Sequence, residues 1–151
     1  FQDLVADMDG TVFVAFTGEE LGLYGSPPYV THPALSLRSA KIMINLDMVG
    51  RMKNNRLMVA GVDTAKEFRG ILNQAGLGLN MEMTPGVARS DHVSFYDNNI
   101  PVLHFYTGVH EDYHRPTDTW EKLNVEGIEK ISRVVLMTVK KPYNSSIGRP
   151  C

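Results

Sequence analysis

The sequence predicts an α/β fold built around one core. Runs of β-branched and aromatic residues alternate along the chain with segments whose apolar residues have helical spacing. The chain has 151 residues, 43% of them apolar, which suits a single domain. Acidic residues follow two of the strand-like runs, and in open α/β sheets ligands bind at the carboxyl ends of strands. The pattern that predicts the fold therefore also predicts where a functional site lies.

Five segments have the composition of β-strands. The turn-forming residues Asn54 and Asn55 precede the third segment, which favours a hairpin between the second and third strands. His104 lies within the fifth and is expected to be buried and hydrogen-bonded. The predicted strands are residues 11–16, 41–48, 56–62, 79–83 and 101–106.

A helix is predicted over residues 65–75. Thr64 is its expected N-cap, and Gly76 lies just past its end. The stretch after Glu20 contains the adjacent Pro27 and Pro28, which do not fit together inside a helix, so a short or restarted helix is expected there.

The clearest helical pattern covers residues 126–141. Its apolar residues recur at spacings of three and four, which places them on one face. Pro142 is expected to stop this helix because proline lacks the backbone N–H that would continue it. The residues that carry the pattern are Ile128, Ile131, Val135 and Val139.

Composition argues against several classes of function. The formal charge of −2 and the pI near 6.2 predict no basic surface for nucleic acid or anionic membranes. No apolar segment approaches the roughly 18 residues that a membrane span needs, and residues 1–10 lack a signal-peptide pattern. Cys151 is the only cysteine, so neither an internal disulfide nor a cysteine-ligated metal cluster is expected. Composition leaves the compartment open.

Carboxylates follow two of the predicted strands. Glu19 and Glu20 follow the first, and Asp47 ends the second, so the three converge if these strands run parallel. Neighbouring carboxylates repel one another unless a cation or a shared proton offsets their charge. The segment after the fifth strand brings further ligands to the same edge, namely His110, His114 and Asp118. Such a set of oxygen and nitrogen ligands suits zinc, or less selectively cobalt or manganese.

Four motifs connect these residues to a known family. They are TGEELGLYGS, NLDMVGR, RSDHVSFY and FYTGVHEDYHRPTDTWEKLN, in that order. Together they resemble the carboxyl-terminal part of the catalytic domain in the di-zinc aminopeptidase family of metallopeptidases, which includes the bacterial leucyl aminopeptidases. The resemblance covers residues 11–141 and implies a three-layer fold, with a mixed, mostly parallel sheet flanked by helices. Residues 1–10 are expected to form a leader and residues 142–151 a tail outside it.

The resemblance also implies a chemistry. Glu19 matches the family's general base, and Glu20, Asp47 and His114 match metal ligands. In this family two zinc ions acidify a water, the base takes its proton, and the hydroxide attacks the carbonyl after the N-terminal residue of a peptide. The implied substrate is a peptide with a free N-terminus, and the implied location is secreted or periplasmic.

Other residues of the motifs have less definite implied roles. The segment containing Ser90, Asp91, His92 and Phe95 resembles the substrate side of the family's cleft. Asp118 is expected to orient an imidazole or fix its loop, or else to act as a cap.

The resemblance leaves part of the family's site unmatched. Members carry two further ligands upstream of the glutamate pair, a histidine and a bridging aspartate, and residues 1–10 do not match their pattern. Without the bridging carboxylate, two zinc ions would lie close together with less neutralising charge. We therefore expect this chain alone to be inactive and to hold two ions poorly. Metal identity and side-chain preference stay open, as does the choice among an aminopeptidase, a carboxypeptidase and a cyclase.

A second enzyme class is suggested by the leader. DLVADMDGTVF resembles the first motif of haloacid-dehalogenase-type phosphatases, with Asp7 as the nucleophile and Asp9 as the acid/base. The strand before this motif is short, however, and the chain has no lysine or terminal acidic pair in the contexts that this family uses. A phosphatase of this type is the alternative enzyme, and a phosphatase assay with magnesium distinguishes it from a peptidase.

A third interpretation is non-catalytic. Relatives of the peptidase fold serve as binding or dimerisation domains after losing ligands. The presence of Glu19, Glu20, Asp47 and His114 together argues against this interpretation. The sequence does not predict an oligomeric state.

Overall fold

The computed structural model describes residues 10–76, 78–87 and 89–143, with side chains as far as residue 140. This part of the chain contains a four-stranded sheet with helices on both faces, which confirms the predicted α/β architecture. The strands are β1 (Met43–Leu46), β2 (Arg56–Ala60), β3 (Asn80–Thr84) and β4 (Val102–Tyr106). The helices are α1 (Ser26–Thr31), α2 (Phe68–Ala75), α3 (His92–Tyr96) and α4 (Val125–Tyr143), with short 3₁₀ turns at Leu37–Ser39 and Trp120–Lys122.

The sheet has the strand order β1-β4-β2-β3 and is mixed, with mostly parallel pairs. β1 runs parallel to β4, and β2 runs parallel to β3. The pair of inner strands, β2 and β4, is antiparallel. β4 is the most deeply buried strand, which agrees with the continuous apolar character of PVLHFY.

The predicted hairpin between the second and third strands is wrong. Asn54 and Asn55 do form a turn, each with a φ of 53°, and Arg56 N donates to Lys53 O at 2.9 Å. This turn leads only into β2, because β1 and β2 lie on opposite sides of β4. Both strands pair with the buried β4 rather than with each other, so tertiary packing overrides the local turn signal.

The predicted strand over residues 11–16 is also absent. This segment has no strand assignment and pairs with none of the described strands. Val12 and Phe13 are 50% and 76% exposed, so the apolar pattern is not buried as expected. A strand needs a neighbour that satisfies its backbone groups, and the described part of the chain offers none at this position.

Helix α2 begins later than predicted because Thr64 has another role. The Thr64 hydroxyl accepts from Val102 N at 2.9 Å and lies 2.8 Å from Gly61 O. It therefore satisfies the first N–H of β4 instead of capping the helix. Glu67 takes the N-cap position without a side-chain hydrogen bond, and Gly76 stands at the C-cap, as predicted.

Helix α4 matches its predicted span except at the ends. Asn124 caps its start, since Asn124 Oδ1 accepts from Gly127 N at 2.8 Å. The helix continues to Tyr143, so Pro142 does not stop it as predicted. In the last turn a proline removes one backbone bond without interrupting a longer run of them.

The helices form two layers around the sheet. The larger core cluster fills the space between the sheet and the helices α2 and α4, with Phe68, Leu72, Leu103, Phe105, Ile131 and Val134 among its members. The smaller cluster lies on the other face and joins Phe95 of α3 to Val102, with Phe16 and Tyr29 packed against it. In β4, Leu103 and Phe105 belong to the larger cluster and Val102 to the smaller one, as expected of a strand with alternating side chains. The three-layer arrangement predicted from the resemblance is therefore present.

Helix α1 is short and has both prolines in its first turn, as its sequence predicts. Among the described residues, no helix combines the length and the apolar character needed to cross a membrane.

Candidate active site

Glu19 and Glu20 lie in a tight turn shortly after residues 11–16. Gly18 has a φ of 64°, and its carbonyl accepts from Tyr24 N at 3.1 Å. Glu19 O accepts from Gly22 N at 3.0 Å. Only glycine adopts the Gly18 conformation without strain, so the TGEELG pattern fixes the position of the glutamate pair.

The turn brings Glu20 against His114. The ring nitrogen Nε2 of His114 lies 2.6 Å from Glu20 Oε1, although the two residues are separated by 94 positions in sequence. Both side chains are exposed, His114 by 53% and Glu20 by 66%. The Tyr113 ring stacks on the His114 ring, with centroids 3.9 Å apart. Two residues predicted as metal ligands are thus in direct contact.

Burial raises the pKa of Glu19 above its usual value, and the carboxylates of Asp47, Glu20 and Asp91 raise it further. His114 lowers it, but not enough to reverse the shift. A carboxylate with a raised pKa is a better proton acceptor when it is ionised. Glu19 therefore lies close enough to these three carboxylates to be affected by their charge.

Asp47 follows the carboxyl end of β1, where its N–H donates to Phe105 O at 3.3 Å. Ser90 Oγ donates to Asp47 Oδ2 at 3.0 Å, and Asn45 Nδ2 donates to Ser90 Oγ at 2.8 Å. Asp47 therefore has an oriented carboxylate, held by a chain of donors that begins inside the sheet.

The segment of Ser90, Asp91, His92 and Phe95 is buried rather than open to a cleft. All four residues are at most 7% exposed. Phe95 packs in the smaller core cluster, with its ring centroid 5.9 Å from that of Phe16. Among the described residues, Asp91 Oδ1 and His92 Nε2 have no hydrogen-bond partner. A substrate contact by this segment stays a prediction.

His104 is buried and hydrogen-bonded, as its place in the apolar strand predicts. It is 6% exposed, and its Nδ1 lies 3.0 Å from Asn45 Nδ2 and 3.1 Å from His92 Nδ1. This polar cluster of Asn45, His92 and His104 lies directly behind Ser90. Sequence reasoning did not identify it, because nothing in the separate motifs shows that these side chains meet.

The side chains that the structure brings together offer ligand atoms that fit zinc. Carboxylate oxygen and imidazole nitrogen are common zinc ligands, and Glu20 and His114 are already together. Nε2 of His114 donates to Glu20 in this structure, and the same nitrogen without its proton can bind a metal ion. Asp47 lies in the same acidic environment and completes the set of predicted ligands that the chain supplies.

A separate polar cluster lies beside the site. Single ligand atoms of His110, Asp112 and Asp118 fall within 4.8 Å of one another. Arg51 donates to both carboxylates, and Lys122 Nζ donates to Asp112 Oδ1 at 2.6 Å. These cations already neutralise the carboxylates, so the cluster does not fit a metal ion.

Asp118 therefore contributes to this cluster instead of contacting His114. Its Oδ1 accepts from Arg51, and its Oδ2 lies 3.7 Å from His110 Nε2. Arg51 and Lys122 were missed as partners, although both stand within the motifs NLDMVGR and FYTGVHEDYHRPTDTWEKLN. Asp7 and Asp9, the residues of the phosphatase alternative, lie outside the described residues.

Comparison with known proteins agrees with this arrangement. The sequence profile of peptidase family M28 matches residues 6–139. The chain belongs to peptidase family M28. This membership confirms the resemblance to zinc aminopeptidases that the four motifs indicate.

Individual relatives point the same way. Aminopeptidase YwaD of Bacillus subtilis is 32% identical over 141 residues, covering 84% of this chain and 30% of that protein. The structure of BSAP, a zinc aminopeptidase from Bacillus subtilis, superposes with a TM-score of 0.70 at 29% identity, covering 84% of this chain and 34% of that one. An aminopeptidase from Aneurinibacillus sp. strain AM-1 gives a TM-score of 0.66 at 28% identity, covering 90% of this chain and 33% of that one. This M28 chain thus spans about a third of the length of these relatives.

Proposed function

We propose that this chain is the carboxyl-terminal part of a zinc aminopeptidase catalytic domain, which removes N-terminal residues from peptides. The observation that carries the proposal is the contact between Glu20 and His114, beside a Glu19 whose pKa is raised. Membership in family M28 and the similarity to proteins named aminopeptidases support it. The M28 match extends through most of the chain, whereas the phosphatase alternative rests on one motif.

Each residue of the candidate site has a distinct role in this proposal. Glu20, Asp47 and His114 would hold zinc, which supplies Lewis-acid chemistry by polarising a carbonyl and acidifying water. Glu19 accepts a proton from the attacking water and passes it to the leaving amine. The Ser90 hydrogen bond keeps Asp47 oriented during this cycle.

The substrate that we propose is a peptide with a free N-terminus. The similarity to proteins named aminopeptidases supports this choice. By the same resemblance we infer a secreted or periplasmic parent protein.

Hydrolysis is expected to need residues beyond these 151. The resemblance implies two further ligands, a histidine and a bridging aspartate, and residues 1–10 do not match their pattern. We therefore propose that the chain alone does not hold two zinc ions tightly and does not turn over substrate. Zinc calorimetry, combined with hydrolysis of an aminoacyl chromogenic amide, checks both statements; two tightly bound ions together with turnover would overturn them.

The role of Glu19 is tested in the parent protein that carries the whole catalytic domain. Glu19→Gln removes the proton acceptor and keeps the shape of the side chain, so kcat should fall by about 10²–10⁴-fold while bound zinc is retained. The measurement is hydrolysis of an aminoacyl chromogenic amide, with metal content determined on the same samples. Glu129→Gln is the matched control because Glu129 is exposed on α4 and, in the part of the chain that the structure describes, forms an ion pair with Arg133 far from the site residues in sequence. Wild-type turnover in Glu19→Gln would rule out Glu19 as the base.

A further inference from the structure

Arg51 contacts carboxylates on both sides of His114 in sequence. Its Nη2 donates to Asp112 Oδ2 at 2.7 Å, and its Nη1 donates to Asp118 Oδ1 at 2.6 Å. The side chains of Arg51 and Asp112 are only 10% and 7% exposed, so this ion pair is largely shielded from water. We call Arg51, Asp112 and Asp118 the Arg51 bridge.

The Arg51 bridge connects the two segments that carry predicted metal ligands. Arg51 follows Asp47 in the segment after β1, whereas its partners belong to residues 107–119, the His114 loop. At the start of this loop, Thr107 N and Thr107 Oγ1 donate to Met48 O at 3.0 and 2.5 Å. The loop is thus attached to the Asp47 segment at its start, and the guanidinium holds it again on both sides of the histidine.

The conformation of His114 explains why such support matters. His114 has a φ of 55°, in the left-handed region that strains a residue with a side chain. Hydrogen bonds within the loop, such as Arg115 N to Asp112 O at 2.9 Å and Asp118 N to Arg115 O at 3.0 Å, give the loop its shape. They do not attach it to the rest of the protein. That attachment comes from the Arg51 bridge, from Lys122, from the Thr107 contacts and from the exposed contact between His114 and Glu20.

The burial and charge of the bridge favour a fixed geometry. Asp112 accepts from Lys122 Nζ at 2.6 Å and from Arg51 Nη2 at 2.7 Å, so two cations hold this carboxylate from different segments. The planar guanidinium donates in two fixed directions and so fits two carboxylates at once, which a lysine ammonium does not match.

We propose that Arg51 is a positioning residue for the metal site, because it sets where His114 lies relative to Asp47. This inference rests on the proposed function, since the position of His114 affects chemistry only through a bound metal ion. Arg51 itself touches none of the predicted ligands in the described contacts, and it acts through Asp112 and Asp118.

The test compares Arg51→Gln and Arg51→Lys with the wild-type chain. The first measurement is zinc affinity by competition with a chromophoric chelator. Arg51→Gln should weaken zinc binding by about 10-fold or more, as loss of a supporting hydrogen bond behind a ligand typically does. Arg51→Lys keeps the charge but loses the planar guanidinium. Its zinc affinity should therefore lie between those of the wild type and Arg51→Gln. The matched control is Arg69→Gln, which removes an exposed ion pair with Asp63 and should leave zinc affinity unchanged.

The second measurement is amide hydrogen exchange of the zinc-free chains. Arg51→Gln should speed exchange across the His114 loop while strands β2 and β4 stay protected. If Arg51→Gln does not fold, Asp118→Asn is the second variant, because it removes only the more exposed half of the Arg51 bridge. It should weaken zinc binding and speed loop exchange, each by less than Arg51→Gln is expected to.

Separate outcomes decide the inference and the proposed function. Wild-type exchange across the loop, or wild-type zinc affinity in a folded Arg51→Gln, would overturn the role of Arg51. If the parent protein that carries the whole catalytic domain binds no zinc, the proposed function fails. Loop exchange then decides alone whether Arg51 holds the His114 loop in place.

Discussion

Two histidines behind the candidate site are held without charge by their surroundings. Burial, and to a smaller extent the neighbouring His104, lower the pKa of His92 to about 4. Burial also lowers the pKa of His104, although Asp47 opposes that shift. The two Nδ1 atoms lie 3.1 Å apart, so a hydrogen bond between them needs at least one neutral ring to accept it. The polar cluster is therefore stable as a neutral unit and is weakened by acid.

Stability should consequently fall as the pH drops from about 7 to 4. Above pH 6.5 the unfolded chain and the folded protein both keep His92 neutral, so it has no effect there. Between 6.5 and about 4 the unfolded chain binds a proton that the folded protein excludes, which favours unfolding. This difference in pKa amounts to roughly 3 kcal/mol. Urea unfolding at several pH values measures it.

A neutral substitution isolates the contribution of His92. His92→Asn should flatten the pH dependence of the unfolding free energy between 6.5 and 4, whatever its effect at pH 7. His32→Asn is the control, because His32 lies on the surface after α1 and should leave the dependence unchanged. An unaltered pH dependence in His92→Asn would contradict the assignment.

At the scale of elements, two glycine positions differ in whether they can accept a side chain. Gly61 directly follows β2 and has a φ of 81°, and a Cβ there would lie 2.5 Å from Val102 O in the adjacent strand. Gly70 lies inside α2, where a Cβ would meet nothing within 4 Å. The backbone of β4 thus requires glycine at one position, whereas the helix gains nothing from glycine at the other.

Alanine should therefore have opposite effects at these two positions. Gly61→Ala should destabilise the protein by at least about 1 kcal/mol, through strain at positive φ and contact with β4. Gly70→Ala should stabilise it by about 0.5–1 kcal/mol, since alanine has the higher helix propensity. Urea unfolding at pH 7 measures both free energies. A Gly61→Ala protein as stable as the wild type would show that β4 does not approach Gly61 closely.

The accuracy of the sequence predictions for each element follows from how local its stabilising contacts are. The periodic apolar face of α4 and the apolar run of β4 depend on their own residues, and both elements lie close to their predicted positions. Residues 11–16 have an equally apolar pattern but no strand partner among the described residues, so pattern alone fails there. The Thr64 hydroxyl bonds to β4, a contact that no local capping rule anticipates.

The candidate site shows the same difference between features that a local motif predicts and features that depend on long-range contacts. Glu20 and His114 were expected to meet because the motifs resemble a family, and the structure brings them into contact across the fold. The partners of Arg51 depend on how the loop after β4 folds over the segment after β1. Burial of Phe95 depends likewise on packing against Phe16. Neither motif letters nor spacing contain that information.

At the scale of the whole molecule, the site depends on distant parts of the chain. Glu20 comes from the first turn, Asp47 from the end of β1 and His114 from the loop after β4. An ion bound by such residues favours the folded state, because the unfolded chain does not hold them together. Zinc binding and global stability should therefore be coupled even without catalysis.

Zinc should raise the melting temperature of the chain, and the ligand residues should control the increase. At a zinc concentration 100 times the dissociation constant, the stabilisation is about 2.7 kcal/mol, or roughly 5–10 °C for a domain of this size. Differential scanning calorimetry with and without zinc measures the shift, and a chelator should reverse it. His114→Gln and Glu20→Gln should each remove most of it, because these residues form the assembled ligand pair. His32→Gln controls for binding to surface histidines, and a full shift in His114→Gln would place the zinc elsewhere.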